Sequence, residues 1–212
     1  MMQVSILGAT GMVGNATLRE ALNKGYQVKV LVRSPEKLGE LKEKVTVVEG
    51  NLLDSSSMER ALEGSNVVIN TAGGVKEPDQ YAKFQRIGTL LTGKMNELGI
   101  KRLINISGAV MTLPEENLDL KRKIMKVFVG FLFKEMKQSQ EAILPIILSN
   151  KNIDWTIVRA AMISKKEGVG NVLADDKQMP GMAIKLDDLG KFLVEQIISK
   201  QWVNKAPFVA SR

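Results

Sequence analysis

The stretch that decides the fold is Met1–Leu22, MMQVSILGATGMVGNATLREAL, and within it Gly8-Ala-Thr-Gly11-Met-Val-Gly14. A β-branched, apolar run (Gln3–Leu7) enters a glycine-spaced turn. A pattern with apolar residues at spacings of three and four (Met12–Asn23) leaves it. Glycines cluster in turns for conformational reasons alone, so GxxGxxG by itself is weak. Its position between a buried strand and a helix is what a phosphate site requires. The turn places the N–H groups of Thr10, Gly11, Met12 and Val13 at the positive end of the helix, where a pyrophosphate is held. Gly8 permits the turn, Gly11 the approach of the phosphate, and Gly14 close packing of helix on strand. We expect a dinucleotide site here.

The same alternation continues along the chain. Gln27–Val32, Val45–Glu49, Asn66–Thr71 and Arg102–Ser107 read as strands, and Ser56–Glu63 and Asp79–Leu98 as helices between them. The strand runs are apolar almost throughout, as in parallel strands covered on both faces. Repeating βαβ units predict an α/β fold with a doubly wound parallel sheet. Gly25, Gly64 and Gly99 follow the helical runs at left-handed C-terminal positions, and Ser55 to Ser57 are candidate N-caps. Beyond Ser107 a helical stretch of about 118–150 is interrupted by Pro145. A strand Trp155–Arg159, a Gly- and charge-rich segment Lys165–Gly181 and a helix Asp187–Ser199 follow. We expect one domain over residues 1–212, with about 160–185 forming a small substrate-side lobe.

Composition narrows the chemistry. The 212 residues are 44% hydrophobic and 25% charged, ordinary for a globular protein with a core. There is no Cys and no His, so disulfides, thiol catalysis and thiolate or imidazole metal ligation are excluded, and we expect no metal. The cysteine-free composition, with no signal-peptide pattern, predicts a cytoplasmic location. The longest apolar run, Val127–Phe133, is too short to span a bilayer, which needs about 20 residues. The net charge of +7 is spread among acids; KLGELKEK, DLKRKIMK and SKKE are dense but carry no interleaved aromatics, so nucleic acid is not expected as a partner.

The strand ends specify the cofactor. An NAD site normally carries an acid after the second strand, to hold the ribose 2′-hydroxyl. Here the strand runs Val30-Leu-Val-Arg33-Ser34, with Lys37 one turn later. Arg33 suits a 2′-phosphate bidentately, Ser34 adds a donor, and NADP is favoured over NAD. Glu49-Gly-Asn-Leu-Leu53-Asp54 ends the third strand beside the expected adenine, with Leu53 next to it and Asp54 accepting from its amine. Asn70-Thr71-Ala72-Gly73-Gly74 ends the fourth with small residues that let backbone pass close to ribose and phosphate.

Together with LVRSPEKL, EGNLLDSSSMERALEGSNVVINTAGG, KRLINISGA, IDWTIVRAAMI and DDLGKFLVEQI…APFVAS, these motifs make the whole chain resemble an atypical short-chain dehydrogenase/reductase of the NmrA-like or flavin/biliverdin reductase type. The resemblance implies a Rossmann sheet of about seven parallel strands with NADP on its carboxyl edge. It implies that Ser107 stands where the family serine belongs, and that the family's YxxxK unit falls on Phe133 and Lys137. Phe133 cannot donate a proton, so the usual general acid is missing. Of the two tyrosines, Tyr26 precedes the second strand and Tyr81 heads a helix with Lys83 two residues on, outside a YxxxK unit. Arg159 corresponds to a family arginine that anchors the C-terminal lobe.

Reduction of a planar conjugated acceptor, a flavin or quinone, tolerates this loss, since the cofactor carries the hydride chemistry and protons come from solvent. The expected roles are Ser107 at the nicotinamide or acceptor and Lys137 at the ribose hydroxyls. The other reading is a non-enzymatic NADP-binding redox sensor or assembly protein. It is motivated by Phe133 and by the apolar run Ile124–Met136, which could also seat a second copy in a homodimer. Eleven Met residues, among them Met111, Met125, Met136, Met162, Met179 and Met182, read as core fillers, with some in the later half shaping an adaptable pocket.

Overall fold

The structure is a computed structural model that describes residues 2–73, 79–114, 116 and 134–212, with side chains from 139 onward in the last stretch. Strands β1 (Gln3–Leu7), β2 (Gln27–Val32), β3 (Thr46–Glu49), β4 (Val67–Asn70), β5 (Arg102–Gly108) and β6 (Asp154–Ala160) alternate with helices α1 (Met12–Asn23), α2 (Ser55–Leu62), α3 (Gln80–Glu97) and α4 (Lys134–Ser149). Three short strands follow: β7 (Met162–Ser164), β8 (Val172–Asp175) and β9 (Ala183–Lys185). Helix α5 (Leu186–Glu195) and β10 (Phe208–Ser211) come last.

The main sheet has eight strands in the order β3-β2-β1-β4-β5-β6-β10-β8. All neighbours pair in parallel except β8, which runs antiparallel to β10 at the edge. The predicted doubly wound α/β sheet is therefore present, and the strands the resemblance implied are joined by one antiparallel edge strand. Strand β7 pairs with β9 in a separate two-stranded ribbon.

Period-two alternation distributes the apolar strands between two cores. Val67, Ile69, Ile104 and Val158 point to one face with α1 and α5; Val68, Leu103 and Ile157 point to the other with α2, α3 and α4. Helix α1 buries Gly14, Thr17, Leu18 and Ala21, the i, i+3, i+4, i+7 stripe its sequence predicts. Close helix contacts rest on glycines: a Cβ on Gly190 of α5 would meet the Ala16 backbone of α1 at 3.0 Å.

Where structure and expectation differ, the reasons are local. The cap of α2 is Asp54, not a serine: its Oδ2 accepts from the Ser57 N–H at 2.8 Å, and Ser55 is the first helical residue. Pro35–Lys44, which shows no helical period, forms 3-10 turns kinked at Gly39. Lys134–Ser149 is helical with Pro145 inside it, whereas residues 117–133, which include Phe133 and most of Ile124–Met136, lie outside the described residues. Gly25, Gly64 and Gly99 take positive φ as the caps require.

Candidate dinucleotide site

In parallel strands the connections after β1, β2, β3, β4 and β5 share one edge, and the predicted residues gather there. Gly8 sits at φ +82°, and a Cβ on it would lie 2.8 Å from the Ala72 nitrogen and 2.9 Å from Thr71 Oγ1. A Cβ on Gly14 would lie 2.1 Å from the Gly8 carbonyl oxygen and 2.7 Å from Thr71 Oγ1. These two glycines let α1 and the end of β4 close onto the turn. Thr71 completes the packing, its hydroxyl and N–H both donating to the Leu7 carbonyl at 2.7 and 2.9 Å.

Gly11 is different. Its N–H donates to the Gly8 carbonyl at 2.9 Å, and a Cβ there would meet only that same oxygen, at 3.2 Å. It is the N-cap of α1 and has no side chain to cap the helix. The first-turn N–H groups of Met12 and Val13 thus stand at an exposed helix start, where the helix dipole favours an anion. Thr10 and Gly11 are exposed beside them. A tightly packed glycine turn with an open outer side suits a pyrophosphate.

The remaining predicted residues line the same edge. Arg33 follows β2 and is exposed; Ser34 is half-buried and opens the 3-10 segment, taking the Lys37 N–H on its carbonyl at 3.1 Å. After β3, Gly50 is required by Ser57, whose Oγ a Cβ would approach to 2.2 Å. Asn51 Oδ1 accepts from the Leu53 N–H at 3.0 Å, which shapes the loop that presents Leu53 and Asp54. The Asp54 carboxyl is held down to about 2 by hydrogen bonds from Ser57 and Ser56, and it stays ionised. In the structure the carboxylate serves as the cap of α2. Ala72 is half-buried and Gly73 exposed after β4, and Gly74 lies outside the described residues.

Ser107 stands near the end of β5, 6% exposed and in register with Arg159 of β6. Lys137 falls in the first turn of α4, its side chain beyond what is described, and Phe133 is likewise outside. Tyr26 lies at the opposite, amino edge, and Tyr81 is 49% exposed in the first turn of α3. No group of three or more potential metal ligands occurs among the described residues.

Two arrangements are not visible in the sequence. Asn70 at the end of β4 and Asn105 in the middle of β5 are register partners, and Asn70 Nδ2 donates to Asn105 Oδ1 at 2.7 Å. Asn70 Oδ1 then accepts the Ala72 N–H at 3.2 Å, so the pair ties the Thr71–Gly73 segment to the strand carrying Ser107. A lone Asn within each of two apolar strand runs, both side chains buried, is the signal for it. The second is the setting of Arg159, which is fully buried. Its Nε donates to the Ala206 carbonyl at 2.6 Å, Nη1 pairs with Glu116 at 2.6 Å and Nη2 donates to the Asp176 carbonyl at 3.0 Å, while its guanidinium lies 3.5 Å from the centre of the Phe208 ring. It joins four segments around the lobe, as the resemblance implied.

A parallel sheet of order 3-2-1-4-5-6 with a glycine turn after β1 defines a Rossmann-type nucleotide-binding protein. The profile of the NAD(P)H-binding family matches residues 8–200, and the chain belongs to that family. Among curated relatives, a photosystem II assembly factor of Trieres chinensis is 38% identical over 161 residues, 76% of this chain and 46% of that protein. Among solved structures, the oxidoreductase ylbE of Lactococcus lactis superposes with a TM-score of 0.80 at 18% identity, over 100% of this chain and 91% of that one. The anaerobillin reductase ChuY of Escherichia coli O157:H7 gives 0.77 at 18% identity, over 99% and 97%. The chain spans less than half the length of the curated relatives it matches. No described helix is long and apolar enough to cross a membrane.

Proposed function

We propose that this chain is an NADPH-dependent reductase of a planar conjugated acceptor of flavin or quinone type. The observation that carries the reading is the convergence on one sheet edge of the open glycine turn, Arg33 with Ser34 after β2, and Ser107 at the end of β5. The first-turn N–H groups of α1 bind the pyrophosphate, Arg33 and Ser34 the 2′-phosphate, and Leu53 and Asp54 flank the adenine. Thr71, Ala72, Gly73 and Gly74 lie along the ribose and phosphate, and Lys137 holds the nicotinamide ribose hydroxyls. NADPH supplies a hydride when bound. Ser107 orients the nicotinamide or the acceptor through its hydroxyl. With Phe133 in place of the family tyrosine and no His or Cys in the chain, the accompanying proton comes from solvent. The fold is one that a reductase, the anaerobillin reductase ChuY, shares. The reading places the protein in the cytoplasm, acting on a small molecule, with homodimer formation compatible with it.

The test is NADPH oxidation in the presence of FMN, menadione and simple carbonyl compounds. Turnover with the flavin or quinone and none with carbonyls is the expected result. NADPH binding at micromolar levels with no turnover across the panel sinks the reductase reading. It would favour the second one, a non-enzymatic NADP-binding sensor or assembly protein. That reading is supported by the 38% identity to a photosystem II assembly factor.

A further inference from the structure

Exposed apolar side chains are unevenly placed on this molecule. Among the described residues the exposed large apolar side chains are Met2, Met12, Tyr81, Met162, Val169, Leu173, Met182 and Ile198, and of these Met12, Tyr81, Met162, Val169 and Met182 lie in or next to connections at the carboxyl edge, the edge of the glycine turn. The most exposed at this edge are Met162 at 72% and Met182 at 68%. They sit together: the Met162 N–H donates to the Met182 carbonyl at 3.2 Å where β7 and β9 begin to pair. Met162 also lies three residues beyond Arg159, the register partner of Ser107, so the ribbon starts beside the strand end that carries the candidate catalytic serine.

The ribbon is anchored on its other face. Ile163 and Ile184 are register partners; Ile184 is fully buried and Ile163 packs against the same core. Alternation along the strand then turns Met162 to the opposite face, away from that core. Two large thioethers are thus held in water on a ribbon fixed by two isoleucines. Of the described aromatic residues, Tyr81 is exposed at this edge, whereas Phe84, Phe192, Trp202 and Phe208 are buried in the core. At the ribbon itself, the exposed apolar surface offered to a flat π-system is that of Met162 and Met182. Methionine suits the task, being unbranched, polarisable and favourable against aromatic faces.

We infer that Met162 and Met182 form the acceptor-facing wall of the site, a methionine clamp that packs against the conjugated ring of the substrate. The inference rests on the reductase reading above and adds the residues that select a flat acceptor. It is tested by methionine oxidation in the NADP+ complex, where no turnover occurs. The protein is treated with hydrogen peroxide in the dark, with and without FMN or menadione, and sulfoxide is measured at Met162, Met182 and Met2 by peptide mass spectrometry. Met2, 37% exposed at the amino edge, is the internal control. The acceptor is expected to slow oxidation of Met162 and Met182 roughly fivefold and to leave Met2 unchanged. In parallel, the Met162→Gln/Met182→Gln variant is expected to raise the acceptor KM roughly fivefold with NADP+ affinity unchanged. Equal oxidation with and without an acceptor that the wild type reduces overturns the clamp and leaves the reductase reading standing. No protection together with no turnover overturns both. Protection that appears without acceptor and grows with protein concentration assigns the two methionines to contact with a second copy, and overturns the clamp.

Discussion

A methyl group on Gly14 would stand 2.1 Å from the Gly8 carbonyl oxygen, against 3.2 Å for one on Gly11. The first distance cannot be relieved without moving backbone, and the second needs a shift of a few tenths of an ångström. Gly14→Ala is therefore expected to cost about 1–3 kcal/mol in thermal or urea unfolding, and Gly11→Ala about 1 kcal/mol or less. A Gly11→Val variant that folds should lose NADPH in a titration, because the branched side chain occupies the open side of the turn. Arg33→Ala is expected to weaken NADPH about tenfold or more and to leave NADH nearly unchanged. Equal affinity of the wild type for both nucleotides would refute the role given to Arg33. The positions of the glycines and Arg33 are legible in the sequence because they follow from one turn and one strand end. The Asn70–Asn105 bond is not, since it joins residues 35 apart through a register that only the assembled sheet defines.

At the scale of elements, β1, β2 and α1 have the limits their patterns predict, because each is a regular run bounded by glycine or a turn. The strands β7 to β10 have three or four residues each and too little alternation to register. Position, not pattern, makes them strands. Capping shows the same limit: DSSS offers four plausible caps, and only the path of the loop selects Asp54. Since hydrogen bonds lower the Asp54 pKa to about 2 from an ordinary value near 4, the folded state binds its proton less readily than the unfolded chain. Its contribution to stability is complete above about pH 4 and is lost as the pH falls through about 2. The Tm difference between wild type and Asp54→Ala is accordingly expected to be constant from about pH 7 to pH 5 and to shrink below about pH 4. A difference that widens on acidification would contradict this assignment.

For the molecule as a whole, the alternation of strand and helix predicts a doubly wound parallel sheet, and right-handed βαβ crossovers accommodate its order 3-2-1-4-5-6. The alternation does not predict the far end of the sheet, because β10 enters between β6 and β8 from the other side of α5 in sequence. Its Ser211 hydroxyl donates to Asp188 Oδ2 at 2.7 Å and accepts the Lys185 N–H at 2.9 Å. Asp188, fully buried at the start of α5, also takes the Gly170 N–H at 2.8 Å and the Val169 N–H at 3.3 Å. Burial pushes its carboxyl up, but the hydrogen bonds of Ser211, Gly170 and Val169 outweigh that and leave it below the usual carboxylate range. Removing residues 208–212 would strip β8 of its neighbour and Asp188 of a partner. The shortened chain is expected to lose a cooperative thermal transition, since the loss of core area and of a buried hydrogen bond rivals the ~5–15 kcal/mol by which domains are stable. A melt as sharp as that of the full chain would show that β10 is dispensable.

The place of β10 also bears on the order in which the chain takes shape as it is made. Strands β1 to β6 can pair as they leave the ribosome, so the glycine turn, Arg33 and Ser107 come together first. Strand β8 has no strand neighbour until Phe208–Ser211 emerges, and the bond from Arg159 Nε to the Ala206 carbonyl waits for the same stretch. The glycine-turn edge is thus encoded by the first part of the chain, and the far edge of the sheet is completed by the last strand to appear.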